Sequence, residues 1–197
     1  EFLNGFAFSS KDWKSNGVGV IKIGSINPGF VDITKVSYVE SHFLDSKKKY
    51  QLYPGDILIG MTGAYLGQVG MIPIIDNPLL LNQRAGKICP KDENLVCRSF
   101  IFYLMNNPNF NESVEKLSYG SAQHNVSGKN ICSMRFIKPS KKINSIFATI
   151  GETIISKSLI NEAEIRNLSS IRDLLLPKII SGELRVPDAE KMLEEVG

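Results

Sequence analysis

Apolar positions in the first 140 residues fall in short β-branched runs; after that they recur at helical spacing. The runs "VGVIKIGSI" and "DILIGM" are each bounded by Gly or Pro-Gly turn signals and predict strands. "LGQVGMIPI" and "RAGKICP" predict further short strands, with loop chemistry at Asp76 to Pro78 between them. Pro54-Gly55 suits the centre of a type II turn, because Pro presets one φ and Gly accepts the positive one. Within "GDILIGMTGAYLGQVG", Gly55 to Gly70, the pattern predicts a strand, a tight turn near Thr62-Gly63, and a second strand from Leu66. Val96, Phe100, Ile101, Leu104 and Met105 predict a helical insert that begins near Leu95 and is broken by "NNPN". A second short helix is expected from Phe110 to Leu117. The stretch "SYGSAQHNVSGKN" is polar, glycine-punctuated and aperiodic, so it is expected to be a loop.

From Lys141 the texture changes. Ile143, Phe147, Ile150, Ile154, Ile165, Leu168, Ile171 and Leu175 mark one helical stripe, and no Pro intervenes before Pro177. Spacings of three and four alternate through much of it, as a coiled-coil seam requires. Lys157 and Asn161 fall on the seam, where polar residues commonly fix register or partner number. A helix from Ile143 to Leu176 would be about 50 Å long at 1.5 Å per residue. Gly151 weakens it locally. A helix this long outruns a domain of the size that precedes it, so a partner helix is expected. The fold class expected is α+β. A twisted, mainly-β globular domain with a helical insert occupies residues 1–140, and a long coiled-coil-forming helix with a C-terminal tail occupies 141–197.

Composition narrows the class without fixing a function. The chain has 197 residues, 43% hydrophobic and 22% charged, with a net charge of +3. Residues 1–140 hold 15 Lys/Arg against 11 Asp/Glu, so the excess positive charge lies in the globular part and permits nucleic-acid contact there. No run reaches the roughly 18 apolar residues of a membrane span, and no signal-peptide pattern opens the chain. A cytoplasmic protein is expected. Cys89, Cys97 and Cys132 lack CxxC spacing and are expected to be buried, reduced thiols.

Catalytic chemistry finds no foothold. Gly60, Gly63, Gly67 and Gly70 have no following Lys-Ser/Thr, so the segment is not a phosphate loop. "GVGVIK" at Gly17 lacks the third glycine of a dinucleotide fingerprint. "NPNF" at Asn107 lacks the second proline of an adenine-methyltransferase turn, and no glycine-rich S-adenosylmethionine loop precedes it. His42 and His124 have no partner at metal spacing, and no G-x-S-x-G elbow exists. Neither a catalytic residue nor a metal or cofactor is expected, which points towards binding. In the polar loop, Ser121, Gln123, His124, Asn125 and Lys129 carry hydrogen-bonding groups. Gln and Asn can bond adenine bidentately, and Lys can serve phosphate or guanine.

Several segments, in order, resemble the specificity (S) subunit of type I restriction-modification systems. They are "NGFAFSSKDW" with "GVIKIGSI", "PGDILIGMTGAYLGQVG", "LLNQRAGKI", "GSAQHNVSGKNI", and "LLPKIISGELRV" after the long helix. The resemblance implies a target recognition domain followed by a conserved helical region. A complete S subunit carries two such units, whose helices pack antiparallel as a spacer, and each domain reads one half of a split DNA target. Methyltransferase and translocase chemistry belongs to separate modification and restriction subunits. This chain departs from the pattern in having one unit, with the family's lead-in strand missing or shortened at Glu1. It is either a half-length S protein that dimerises or a fragment of a longer one.

The partners implied are double-stranded DNA, the modification subunit, the restriction subunit through the complex, and a second copy through the long helix. Paired helices of about 50 Å would span roughly 15 base pairs at 3.4 Å each. The DNA contacts expected are Ser121, Gln123, His124 and Lys129 in the polar loop, then Tyr65, Gln68, Arg84 and Lys22. Lys47, Lys48 and Lys49 either steer phosphates or form a solvated charge run. The partner-helix residues expected are Ile143, Phe147, Ile150, Ile154, Lys157, Asn161, Leu168, Ile171 and Leu175. Two other classes remain open: a non-catalytic interaction module or decoy that binds modification subunits through the helix, and a stand-alone methyltransferase or hydrolase.

Overall fold

A computed structural model describes residues 1–92, 96–118 and 125–187. Ten strands are present among these residues. They are β1 (Phe2–Asn4), β2 (Trp13–Lys14), β3 (Val18–Ile21), β4 (Gly29–Phe30) and β5 (Ser37–Val39), then β6 (Gln51–Leu52), β7 (Ile57–Gly60), β8 (Val69–Met71), β9 (Leu79–Leu81) and β10 (Ala85–Ile88). The helices are α1 (His42–Ser46), α2 (Arg98–Met105), α3 (Pro108–Ser118), α4 (Gly128–Ser133) and α5 (Lys141–Ile180).

The strands form two five-stranded mixed sheets, ordered β1-β10-β7-β8-β4 and β2-β5-β3-β9-β6. Every residue of β7 is buried, which is why it reads as an unbroken apolar run with no alternation. It pairs antiparallel with β10 and β8. Parallel pairs join β3 to β9 and β4 to β8. One core cluster gathers Ile21, Ile26, Val31, Leu52, Leu58, Ile72, Leu81 and Ala85. A second holds Phe8, Val20, Val39 and Leu80, with Phe6, Trp13 and Phe43 packed against it.

Most predicted elements are present with shifted bounds. The lead-in strand exists as the short β1, paired with β10. The strand at "VGVIKIGSI" stops at Ile21 and gives way to a 3-10 turn over Ile23–Ser25. Gly55 has φ 85°, and the Asp56 N–H donates to the Tyr53 carbonyl at 3.0 Å, which closes the expected Pro54-Gly55 turn. The second strand of the glycine segment starts at Val69, later than Leu66, because a 3-10 turn over Gly63–Tyr65 takes up the intervening chain.

Three expectations are overturned. The end of the polar stretch is not loop: Gly128–Ser133 is α4, and Ser127 caps it by accepting the Asn130 N–H at 3.2 Å. Its polar residues are cap chemistry, invisible to a search for apolar period. The long helix also continues past Pro177 to Ile180. Proline forfeits its own N–H but still accepts, and the Ser181 N–H bonds the Pro177 carbonyl at 3.0 Å. Of the three free thiols only Cys97 is buried; Cys89 is half-buried and Cys132 exposed, because the strand end and short helix that carry them lie at the surface.

The chain divides into two compact units, Glu1–Lys157 and Ser158–Gly197. The first turns of α5 thus belong with the sheets. In that stretch Asn144, Gly151 and Ile155 are buried, while Ile143, Ile146, Ile150 and Ile154 stay exposed. Phe147 lies between these faces, edge-on to Phe100 and Tyr103 with ring centroids 5.8 and 6.1 Å away. Among the described residues, no helix is long and apolar enough to cross a membrane.

Candidate nucleic-acid interface

The carboxyl end of β7 anchors an open cleft whose walls are fixed by backbone hydrogen bonds. The Met61 N–H donates to the Arg84 carbonyl at 3.2 Å, and the Met61 carbonyl accepts the Val126 N–H at 3.0 Å. Thr62 and Asn125 form an antiparallel bridge. On the other wall, the Gly5 N–H donates to the Ala85 carbonyl at 3.1 Å and the Gln83 N–H to the Phe6 carbonyl at 3.0 Å. A side chain at Gly5 would overlap the Asn82 carbonyl, so only glycine lets the end of β1 lie this close to the Asn82–Arg84 turn.

The cleft is lined by Asn4, Gly5, Met61, Thr62, Gly63, Gln83, Arg84, Asn125, Val126, Ser127 and Asn130. Four of these are carboxamides, one is a guanidinium, and none of these lining residues is a carboxylate. Asn4, Gln83, Arg84, Asn125 and Asn130 are exposed. Asn4 also borders a second depression that holds Lys49, Lys87, Lys91 and Lys129. Lys87 is structural there, pairing with Asp56 at 2.9 Å while mostly buried. Lys49, Lys91 and Lys129 are exposed cations. The half-buried Cys89 thiol borders the same depression, and burial raises its pKa.

The sequence candidates scatter across this surface. Arg84 lines the cleft and Lys129 the lysine depression. Tyr65 instead stands beside Gly24, where an added Cβ would lie 3.5 Å from the Tyr65 hydroxyl. Lys35 is close to Tyr65 and pairs with Asp32 at 2.9 Å. The Asp32 carboxyl is held below its usual range, first by the Thr34 side chain and then by Lys35. Gln68 spends its amide on the Ala64 carbonyl at 3.3 Å, and the Lys22 ammonium sits 3.8 Å from the Trp13 ring centroid. Neither Gln68 nor Lys22 lines the cleft. Ser121, Gln123 and His124 lie outside the described residues.

Asn4, Thr62, Gln83, Ser127 and Asn130 were not among the sequence candidates. The one local signal was "NQR", a polar turn between two apolar strands. On the helix, Lys157, Asn161 and Leu168 are exposed, and Ile171 and Leu175 are half-buried.

Residues 1–169 match the family model of the Type I restriction modification DNA specificity domain. The Haemophilus influenzae type I restriction enzyme HindI specificity subunit is 32% identical over 180 residues, covering 89% of this chain and 37% of that protein. The Methanocaldococcus jannaschii MjaVIII specificity subunit is 23% identical over 189 residues, covering 94% and 44% respectively. The chain thus spans less than half the length of either relative. In fold it is similar to the S subunit of a type I restriction-modification system from M. genitalium, with TM-score 0.57 and 15% identity over 92% of this chain and 43% of that one. A chain in a structure of a type I R-M system gives TM-score 0.55 at 15% identity, covering 93% and 44%.

Proposed function

The chain belongs to the type I restriction-modification DNA specificity family, and from that premise we propose that it reads one half of a split duplex target. The observation that carries this is the cleft: four carboxamides and Arg84 on backbone-fixed walls, flanked by Lys49, Lys91 and Lys129. Carboxamides match the adenine edge and arginine the guanine edge in the major groove, while lysines take phosphates without regard to sequence. Ser121, Gln123 and His124, which follow α3 in sequence, are further DNA contacts in this reading, with Tyr65, Gln68 and Lys22 as a second tier.

Residues 1–140 act as the recognition domain and 141–197 as the spacer. The chain itself carries out no chemistry. It works in the cytoplasm, docks modification subunits and, through them, the restriction subunit. The second reader is a twin chain, held through the isoleucine face of α5 in a two-fold arrangement that requires a split palindromic target.

The test is methylation by the chain reconstituted with its modification subunit. One defined target should be modified, and Arg84→Ala should relax one base position within it. Equal methylation of all sequences would exclude a reading role. If assembly is normal and substitution of the cleft has no effect on target choice, the chain is an interaction module or decoy.

A further inference from the structure

Helix α2 begins without a cap of its own, since the Cys97 side chain makes no capping bond. Two side chains of α5 supply what is missing. Asn144, 3% exposed, accepts the Cys97 N–H at 2.9 Å. Glu152 accepts the Ser99 N–H at 3.0 Å through one carboxylate oxygen and pairs with the Arg98 guanidinium at 2.6 Å through the other. First-turn N–H groups have no acceptor within their own helix, and the helix dipole favours a carboxylate beside them.

Between these two contacts the backbone of α5 packs directly against the Ser99 side chain. A Cβ added at Gly151 would stand 2.6 Å from Ser99 Oγ and 2.7 Å from Ser99 Cβ, and Ser99 is fully buried. At 100° per residue, Asn144, Gly151 and Glu152 share a face turned about 120° from the Ile143, Ile150 and Ile154 face. Arg98 extends the contact: its guanidinium covers Gly55, where any side chain would overlap it. Gly55 leads into β7, and the far end of β7 carries Met61 and Thr62 of the cleft. Helix α5, α2 and the approach to the central strand behind the cleft are therefore linked by a series of contacts.

We propose that Asn144, Gly151 and Glu152 form a keyed joint that sets the angle of the recognition domain about α5, and so limits which spacings between half-sites are accepted. This rests on the DNA-reading function proposed above. One base pair of B-DNA rotates the next half-site by about 35°, from 10–10.5 base pairs per turn. A joint loosened by that angle would admit targets one base pair too long or too short. These three are positioning residues, and none lines the cleft.

The experiment uses the full chain in complex with its modification subunit, on DNA whose half-sites stand at the native spacing and at one base pair more or less. For Glu152→Ala, the preference for native spacing should fall about fivefold to tenfold, comparable to one mismatched base pair. Base choice within each half-site should not change. A uniform loss of methylation at every spacing, with the preference intact, would overturn the proposal, because it describes a purely stabilising contact. Glu152→Gln keeps the acceptor for Ser99 and loses the ionic pair. It should show a smaller loss of preference, and it decides the matter if the alanine variant fails to assemble.

Hydrogen exchange on the chain alone tests the joint separately. The Ser99 amide should exchange faster in Glu152→Ala and stay largely protected in Glu152→Gln, which keeps the acceptor, and unchanged protection in Glu152→Ala would remove the joint whatever the DNA result. If the wild-type complex shows no target preference while the Ser99 amide still responds, the DNA-reading function fails and the joint stands only as a structural contact.

Discussion

Arg84 enters the fold through its backbone, with its carbonyl bonded to Met61 and its side chain exposed in the cleft. Arg84→Ala should therefore leave thermal stability nearly unchanged and cost about 1–3 kcal/mol of discrimination at one base pair, as loss of a bidentate contact does. Competition binding by the assembled complex against single-substituted targets measures this. Lys129→Ala should weaken binding to all sequences alike and flatten the slope of log K against log salt by about 0.9. Gly151→Ala should destabilise the chain, although alanine gains about 1 kcal/mol of helix propensity. The clash with buried Ser99 outweighs that gain, since overpacking costs roughly 1–3 kcal/mol. Ser99→Gly in the same chain should restore much of the loss in a denaturant melt. The roles of Gly5 and Gly151 were not legible in the sequence, where a glycine shows its local freedom but not the distant group it admits, the Asn82 backbone in one case and the Ser99 side chain in the other. Arg84 was named from the sequence in the second tier of DNA contacts, at the start of the expected strand "RAGKICP".

Helix α5 carries two faces, and its apolar period marks only one. Ile143, Ile150 and Ile154 repeat visibly and are exposed. The side that meets α2 uses Asn144, Gly151 and Glu152 beside Phe147, and of these the apolar period marks only Phe147. The same blindness hid α4, whose opening residues are cap and turn chemistry. Ile150→Glu with Ile154→Glu should abolish self-association in sedimentation and leave the melting profile of the globular part intact. Ile155→Glu, at a 2% exposed position, should instead unfold it. A dimer that survives the paired glutamates would remove α5 from the proposed interface.

The pattern of the whole molecule was legible in outline: strands first, a helical insert, then one long helix. Pairing was not, because the runs carry no register of their own. Beside β5, β3 pairs with β9, far along the chain, and their apolar side chains resemble those of every other strand. The cleft shares that limit, since its residues come from four separated segments brought together by the ends of β1, β7 and β10. Sequence order and spacing across the chain carried the family resemblance, and the match over residues 1–169 agrees with it.

The central claim is that this chain selects a DNA sequence for its modification subunit, and mapping methylated adenines in cells expressing the two together tests it most directly. The account predicts methylation confined to one split target, palindromic if the chain works as a twin, with a base position that relaxes in Arg84→Ala. Methylation spread evenly over all sequences, or a target that does not depend on which specificity chain is present, would contradict it.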